Sequence, residues 1–464
     1  MVIVVNIENT ISKNKLATDN IKSLIAAFAI PAIISNLVSS LYNIIDQIFI
    51  GQAVGMLGNA ATNVAFPLTT IVVGISLLLG IGSASKFNLE MGRKNDRLAK
   101  NYIGNGIVYL FIAGILLTIL TLLFIEPLVL LFGATGNVLP YALTYTRITA
   151  LGFPFAVMII GGGQFIRADG SPKYAMFTTL SGAILNIILN PIFIFTFNLG
   201  IAGAAIATII GQGVSALLIV NYFRNFKTIT LEKEDFIPQF DLLKVIFALG
   251  AASAINQMAL ALVQTVLNNT LTHYGAMSQY GADIPLAVVG IITKVNTLYY
   301  GLLIGIAQGT QPIFGFNYGA KDYERVKDTL FVALKLVIGI GLIGFVAFQV
   351  FPRQIIAIFG NGNELYYQFG IRYLRIFLFF TTLNGVQLLT SSFFTSIGKS
   401  SRGIFLSLTR QVLFLLPLVI ILPRFFGIDG VVYAGPISDF AAIALAITLL
   451  TNEVRKINSI KKAA

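Results

Sequence analysis

Apolar runs of roughly 20 residues recur along the whole chain, separated by short polar stretches, and each can cross a hydrocarbon core of ~30 Å. In lipid such runs must be helices, because only a helix satisfies its own backbone polar groups. The pattern places spans near 24–50, 58–85, 99–124, 138–162, 173–196, 202–223, 242–271, 284–310, 328–351, 365–388, 402–422 and 430–452. The expected fold is therefore an all-α polytopic membrane protein of about twelve helices. Pro31, Pro67, Pro154, Pro191, Pro312 and Pro417 interrupt several spans and read as ordinary kinks, which a bundle tolerates.

Composition agrees: 56% of residues are hydrophobic and only 11% charged, against about 25% charged in soluble domains. The net charge of +12 comes from Lys and Arg spread over short loops rather than gathered on a face, so topology explains it better than nucleic acid does. With the N-terminus cytoplasmic, 23 of the 31 basic residues fall on the inner side. Both termini are thus expected in the cytoplasm, in a multi-pass cell-membrane protein. Residues 1–22 lack a small-residue cleavage site, and no signal peptide is expected. Without cysteine there are no disulfides, thiolate nucleophiles or Cys-ligated metals.

The chain also repeats itself. Gly74, Gly82 and Gly92 match Gly301, Gly309 and Gly319 at an offset of 227, as Leu199-Gly-Ile-Ala-Gly matches Phe426-Gly-Ile-Asp-Gly. Asn36 and Asn256 pair at 220, so the loop after span seven is longer. Each half holds six spans and enters from the same side, so the repeats should be parallel, related by an axis along the membrane normal. The expected division is an N-tail (1–23), a first lobe (24–223), a cytoplasmic linker (224–241), a second lobe (242–452) and a C-tail (453–464). Two lobes with a cleft between them suggest rocking and alternating access.

Ionisable groups within spans are costly and usually functional. Lys335 lies near a span end and reads as snorkelling, and His273 as a solvated residue at the outer end of span seven. Lys294, Arg410 and Asp439 share similar depth in the second half and read as a buried ionic cluster, with Lys294 paired to Asp439. Asp46 stands alone: no base lies near it in its own span, and its repeat counterpart is Val266. Such a carboxylate must be protonated, bind a cation or find a distant base, and a changing proton could couple ion flow to rocking. Asn186 and Asn190 share one helical face, and with Asp46 and Thr208 they offer hard oxygens suited to H⁺ or Na⁺ rather than a transition metal. Asn36, Tyr42, Gln164, Asn256 and Lys294 are the polar residues expected to line a substrate cavity.

Leu41-Tyr-Asn-Ile-Ile-Asp46-Gln-Ile-Phe-Ile-Gly51 resembles the first-span motif of the multidrug and toxic compound extrusion (MATE) family. Arg167-Ala-Asp-Gly-Ser-Pro172, Leu185-Asn-Ile-Ile-Leu-Asn-Pro191, Gly200-Ile-Ala-Gly-Ala-Ala-Ile-Ala-Thr208, Gln308-Gly-Thr-Gln-Pro312-Ile-Phe-Gly-Phe-Asn317-Tyr-Gly-Ala320 and Arg410-Gln411 before Pro417 resemble it too. The likeness runs from about residue 24 to 450. It implies a monomeric antiporter without cofactors that exports small hydrophobic, often cationic compounds against entry of H⁺ or Na⁺. Its cation site would fall on Asp46, Asn186, Asn190 and Thr208. This sequence departs from the family twice: Asn190 stands where related branches usually carry Asp, and Gly163 where an acidic or amide side chain is common. The site is one charge poorer, which favours H⁺ over Na⁺ coupling.

The runner-up reading is a lipid-linked precursor flippase of the same wider superfamily. Its phosphate cargo would call for a cationic cleft, for which Lys294 and Arg410 are the candidates. The spans hold no His/Glu metal pair or Ser-base set, and no Walker sequence appears, so an enzyme or ATP-driven pump is not expected. A channel is disfavoured by the duplication, which suits alternating access.

Overall fold

A computed structural model describes residues 15–463, apart from 133, 135–136, 282 and 359–362. Residues 1–14, most of the expected N-tail, lie outside the described residues. Within them the chain is mostly helical, with no strand. The spans are α1 (Ile21–Val54), α2 (Met56–Gly92), α3 (Asp96–Leu123), α4 (Leu139–Leu151 and Phe153–Ala168), α5 (Pro172–Pro191) and α6 (Gly200–Phe223). The second half holds α7 (Phe240–Ala276), α8 (Asp283–Gly319), α9 (Tyr323–Val350), α10 (Glu364–Phe377 and Thr381–Ser396), α11 (Ser400–Leu408 continuing to Ile421) and α12 (Ile428–Ala463). Ten of these are single membrane-length helices, and α4 and α10 are bent pairs, giving twelve spans.

Proline explains only part of the bending. Pro154 opens the second piece of α4 after a 53° bend, and Pro191 ends α5 in a π-helical turn, Ile192–Thr196. Pro31, Pro67 and Pro312 lie inside α1, α2 and α8 without breaking them. The 49° bend of α10 falls at Leu378–Phe380, where no proline marks it.

The repeat reaches the turns. Lys94 and Lys321 both adopt left-handed φ (64° and 62°), and the next residues, Asn95 and Asp322, cap α3 and α9 by accepting from Leu98 N and Arg325 N. Gly200 and Gly427, also 227 apart, have φ of 54° and 58°. A non-glycine residue in this region costs energy, so its recurrence at matched positions reflects a duplicated backbone.

The second half packs around one apolar core, at Leu303, Phe314 and Phe393, and the first around two, a main one at Leu110, Val157 and Phe165 and a smaller one at Ile50, Val129 and Ala204. The helices that begin each half cross over. Leu24, Ile25 and Phe28 of α1 sit in the core of the second half, and Leu242 and Ile246 of α7 sit in the main core of the first. In lipid, close packing rather than dehydration drives such contacts, and small residues permit it.

Four glycines measure the seam. A Cβ on Gly82 would lie 2.1 Å from Ile246 O, and one on Gly309 would lie 2.6 Å from Ala29 Cα, so neither position has room for a side chain. Two turns further along, Cβ atoms on Gly74 and Gly301 would keep ordinary distances of 3.8 Å and 3.7 Å. The halves therefore pack most tightly at the end carrying the α2–α3 and α8–α9 turns, and the packing loosens, or splays, toward the other.

The segments read as linker and tail are built into the fold. Asp169 accepts from Tyr222 Oη (2.7 Å), Lys227 N (2.6 Å), Thr228 N (2.9 Å) and Thr228 Oγ1 (2.5 Å), which pins the chain after α6. Burial raises the Asp169 carboxyl above its ordinary value, and these hydrogen bonds act in the opposite direction. Asn105 donates to Asp235 O (3.1 Å) and accepts from Gln239 N (2.7 Å). The expected C-tail is the last stretch of α12, where the buried Glu453 pairs with Lys399 and Arg402. The N-terminal piece Lys15–Thr18 docks on the second half: Leu16 O accepts from Asn317 Nδ2 and Arg325 Nη2, each at 3.1 Å.

Candidate functional site

α1, α5 and α6 meet around Asp46. The i, i+4 spacing on α5 aims both amides the same way, and the bonds run in sequence. Asn190 Nδ2 donates to Asp46 Oδ1 (2.8 Å) and to Asn186 Oδ1 (3.0 Å), while Asn186 Nδ2 donates to Thr208 Oγ1 (3.1 Å). All four side chains are buried, Asn190 completely, and Asp46 makes no ion pair among the described residues. Asn190 Oδ1 is buried without a hydrogen-bond donor. An orphaned amide oxygen beside a carboxylate suits a bound cation or a proton held on the acid. Tyr42 lies one turn before Asp46 on the same face.

The residues expected to line a cavity are spread over the seam. Asn36 bridges the halves at the floor of the splay, donating to Gly301 O at 3.4 Å, and Asn256 is half-buried at the repeat-related position. Lys294 is exposed, two turns from Gly301 on the α8 face that meets α1, which places it in the opening. Gln164 does not line an open cavity: it is 4% exposed and packed beneath the floor at the closed end.

The second half corrects the expected pairing of Lys294 with Asp439. Asp439 is completely buried and pairs with Arg410 (Nε to Oδ1, 2.6 Å), while its Oδ2 accepts from Asn384 Nδ2 (3.0 Å). A π-helical stretch, Thr409–Leu415, carries Arg410, and Tyr300 lies 5.7 Å from the guanidinium. Lys294 makes no ion pair among the described residues and is exposed, so it does not join the buried pair. His273 and Lys335 are exposed.

Sequence reasoning missed Arg167. Loop-charge counting set it among the inner loop cations, yet it belongs to α4 and is 9% exposed. The signal was available: Arg167 falls one turn after Gly161-Gly-Gly on an apolar helix, where a large side chain can fold back into the space the glycines leave.

The MatE family profile matches residues 31–192 and 252–421, one stretch in each half. The chain is 26% identical over 430 residues to the "Multidrug export protein MepA" of Staphylococcus aureus strain MSSA476, covering 92% of this chain and 93% of that one. It is likewise 26% identical over 438 residues to the MepA of Staphylococcus saprophyticus, covering 94% of each. Among solved structures, it resembles a multidrug resistance MATE family transporter described in an outward-facing conformation, with a TM-score of 0.88 and 24% identity over 96% of this chain and 98% of that one. A MOP superfamily transporter from Pyrococcus furiosus, described as having a binding pocket of reversed polarity, matches with the same TM-score, identity and coverage. The duplicated bundle, the buried polar centre on α1, α5 and α6 and these likenesses agree: the chain belongs to the MatE family of membrane transporters, which are not enzymes.

Proposed function

We propose that this protein is a multidrug efflux antiporter of the cell membrane, exporting small hydrophobic, often cationic compounds against entry of a coupling cation. Both termini lie in the cytoplasm, and it works as a monomer. The observation that carries this reading is the buried chain Asp46–Asn190–Asn186–Thr208 with its orphaned amide oxygen. Multidrug export by the MepA relatives supports the cargo class. With the basic loops inside, the closed end is cytoplasmic and the splayed end opens outward.

The coupling ion we favour is H⁺. Asp46 is the only carboxylate in the network, and amides do not titrate, so one proton at most is exchanged there. Na⁺ would find the same oxygens but little negative charge to offset its dehydration. Efflux from proteoliposomes under separately imposed pH and Na⁺ gradients tests the reading. Export driven by the pH gradient alone is expected. Strong Na⁺ dependence without pH dependence overturns the choice of ion, and no export under either gradient overturns the antiporter.

A further inference from the structure

Where the halves meet at the closed end, a small void of about 10 Å³ lies among Ser85 and Asn88 of α2, Gln164 and Arg167 of α4, and Gln308 and Gln311 of α8. That is about the room one water needs and too little for a phosphate, so a halide would enter only with the flexible Gln164 and Gln308 amides yielding around it. Its lining is rich in unused donors. The Arg167 guanidinium makes no hydrogen bond or ion pair among the described residues, and its Nε is buried without a partner. Ser85 Oγ is buried and unpartnered as well. The amides of Gln164 and Gln308 also make no hydrogen bond among the described residues, whereas Gln311 is committed to Ser392 and Asn88 to Ala84 O.

A buried, permanently charged guanidinium without a counter-charge is costly, and a neutral water leaves the charge uncompensated. The neighbouring unused groups are hydroxyl and amide, which can all donate, and no carboxylate lines the void. We propose that Arg167, with Ser85, Gln164 and Gln308, binds a small monovalent anion of the chloride class between the two halves. Both halves contribute donors, so the site exists only while this end is closed. A bound anion therefore favours the state that opens at the opposite end. This does not depend on which cation drives transport.

Gly163 provides a control. A Cβ there would meet nothing within 4 Å except the Arg167 guanidinium nitrogens, at 3.7 Å and 3.8 Å. Gly163→Asp should thus supply a built-in anion beside Arg167 with no clash at its Cβ, whereas Arg167→Gln removes the charge.

The experiment is thermal unfolding of the purified full chain at equal Na⁺ in sodium chloride, bromide or gluconate. For the wild type, halide should raise the midpoint over gluconate by about 3 °C or more, as a ligand of the folded state does. Gly163→Asp should abolish that increment, as should Arg167→Gln if it folds. Bromide should also appear as anomalous scattering beside Arg167 in crystals grown from the bromide salt. Equal midpoints in halide and gluconate for the wild type would mean that the void holds water only and would overturn the proposal. An equal halide increment in Gly163→Asp would overturn it too, by showing that the salt acts elsewhere.

Discussion

Gly92 and Gly319, 227 residues apart, face each other across the seam and contact each other's helices reciprocally. A Cβ on Gly92 would lie 2.0 Å from Phe316 O, and one on Gly319 would lie 2.1 Å from Leu89 O, and Leu89 and Phe316 are again 227 apart. Such isologous pairing requires a two-fold axis between the two helices, the arrangement of parallel repeats. At this point the two halves meet backbone against backbone, with no side chains to interlock.

The floor of the opening can be locked. A Cβ on Gly301 would stand 3.7 Å from Asn36 Cβ, close to the ~3.8 Å typical of disulfides, with no clash. Asn36→Cys/Gly301→Cys should therefore cross-link on mild oxidation, and the natural chain offers no competing thiol. Efflux should stop on oxidation and return with reductant. Recovery of two free thiols after oxidation would contradict the geometry.

Asp46→Asn keeps the shape of the side chain and removes its charge. Gradient-driven efflux should fall at least about tenfold, while thermal stability stays within about 1 kcal/mol of the wild type, because one acceptor for Asn190 Nδ2 remains. Undiminished transport would remove Asp46 from the coupling mechanism. Asn190→Asp should strengthen cation binding at the same centre, measurable by isothermal titration with Na⁺ at fixed pH.

Arg410 and Asp439 form a buried ion pair in the second half. Losing one partner strands the other, so Arg410→Met or Asp439→Leu alone should cost about 3–5 kcal/mol. The double substitution should cost less than either single one. Additive losses in a thermal or denaturant double-mutant cycle would show that the pair acts as two independent groups.

Asp169→Ala removes the acceptor of four hydrogen bonds from α6 and the linker. Proteolytic cleavage within residues 224–236 should become faster while the rest of the chain stays resistant. Unchanged cleavage would mean that other contacts hold the linker.

Much of this was legible because a bilayer imposes length and periodicity. The twelve spans, the offset of 227 and the shared face of Asn186 and Asn190 all follow from spacing alone. What escaped depends on contacts between distant segments. Lys294 and Arg410 lie at comparable depth as candidate partners for Asp439, and only the rotation of their helices decides that Arg410 reaches it. The α10 bend carries no proline, so tertiary packing sets it. Arg167 was hidden because charge near a span end counts equally whether it points to water or into protein.

The crossing of α1 and α7 bears on how much of the chain's continuity the fold needs. Because Leu24, Ile25 and Phe28 are embedded in the far core, and Leu242 and Ile246 in the near one, the covalent connection is not the main tie between halves. Two polypeptides, 1–230 and 231–464, made together in one cell should complement each other and copurify. In the language of protein engineering, the pair is a naturally strapped heterodimer that happens to be encoded as one chain.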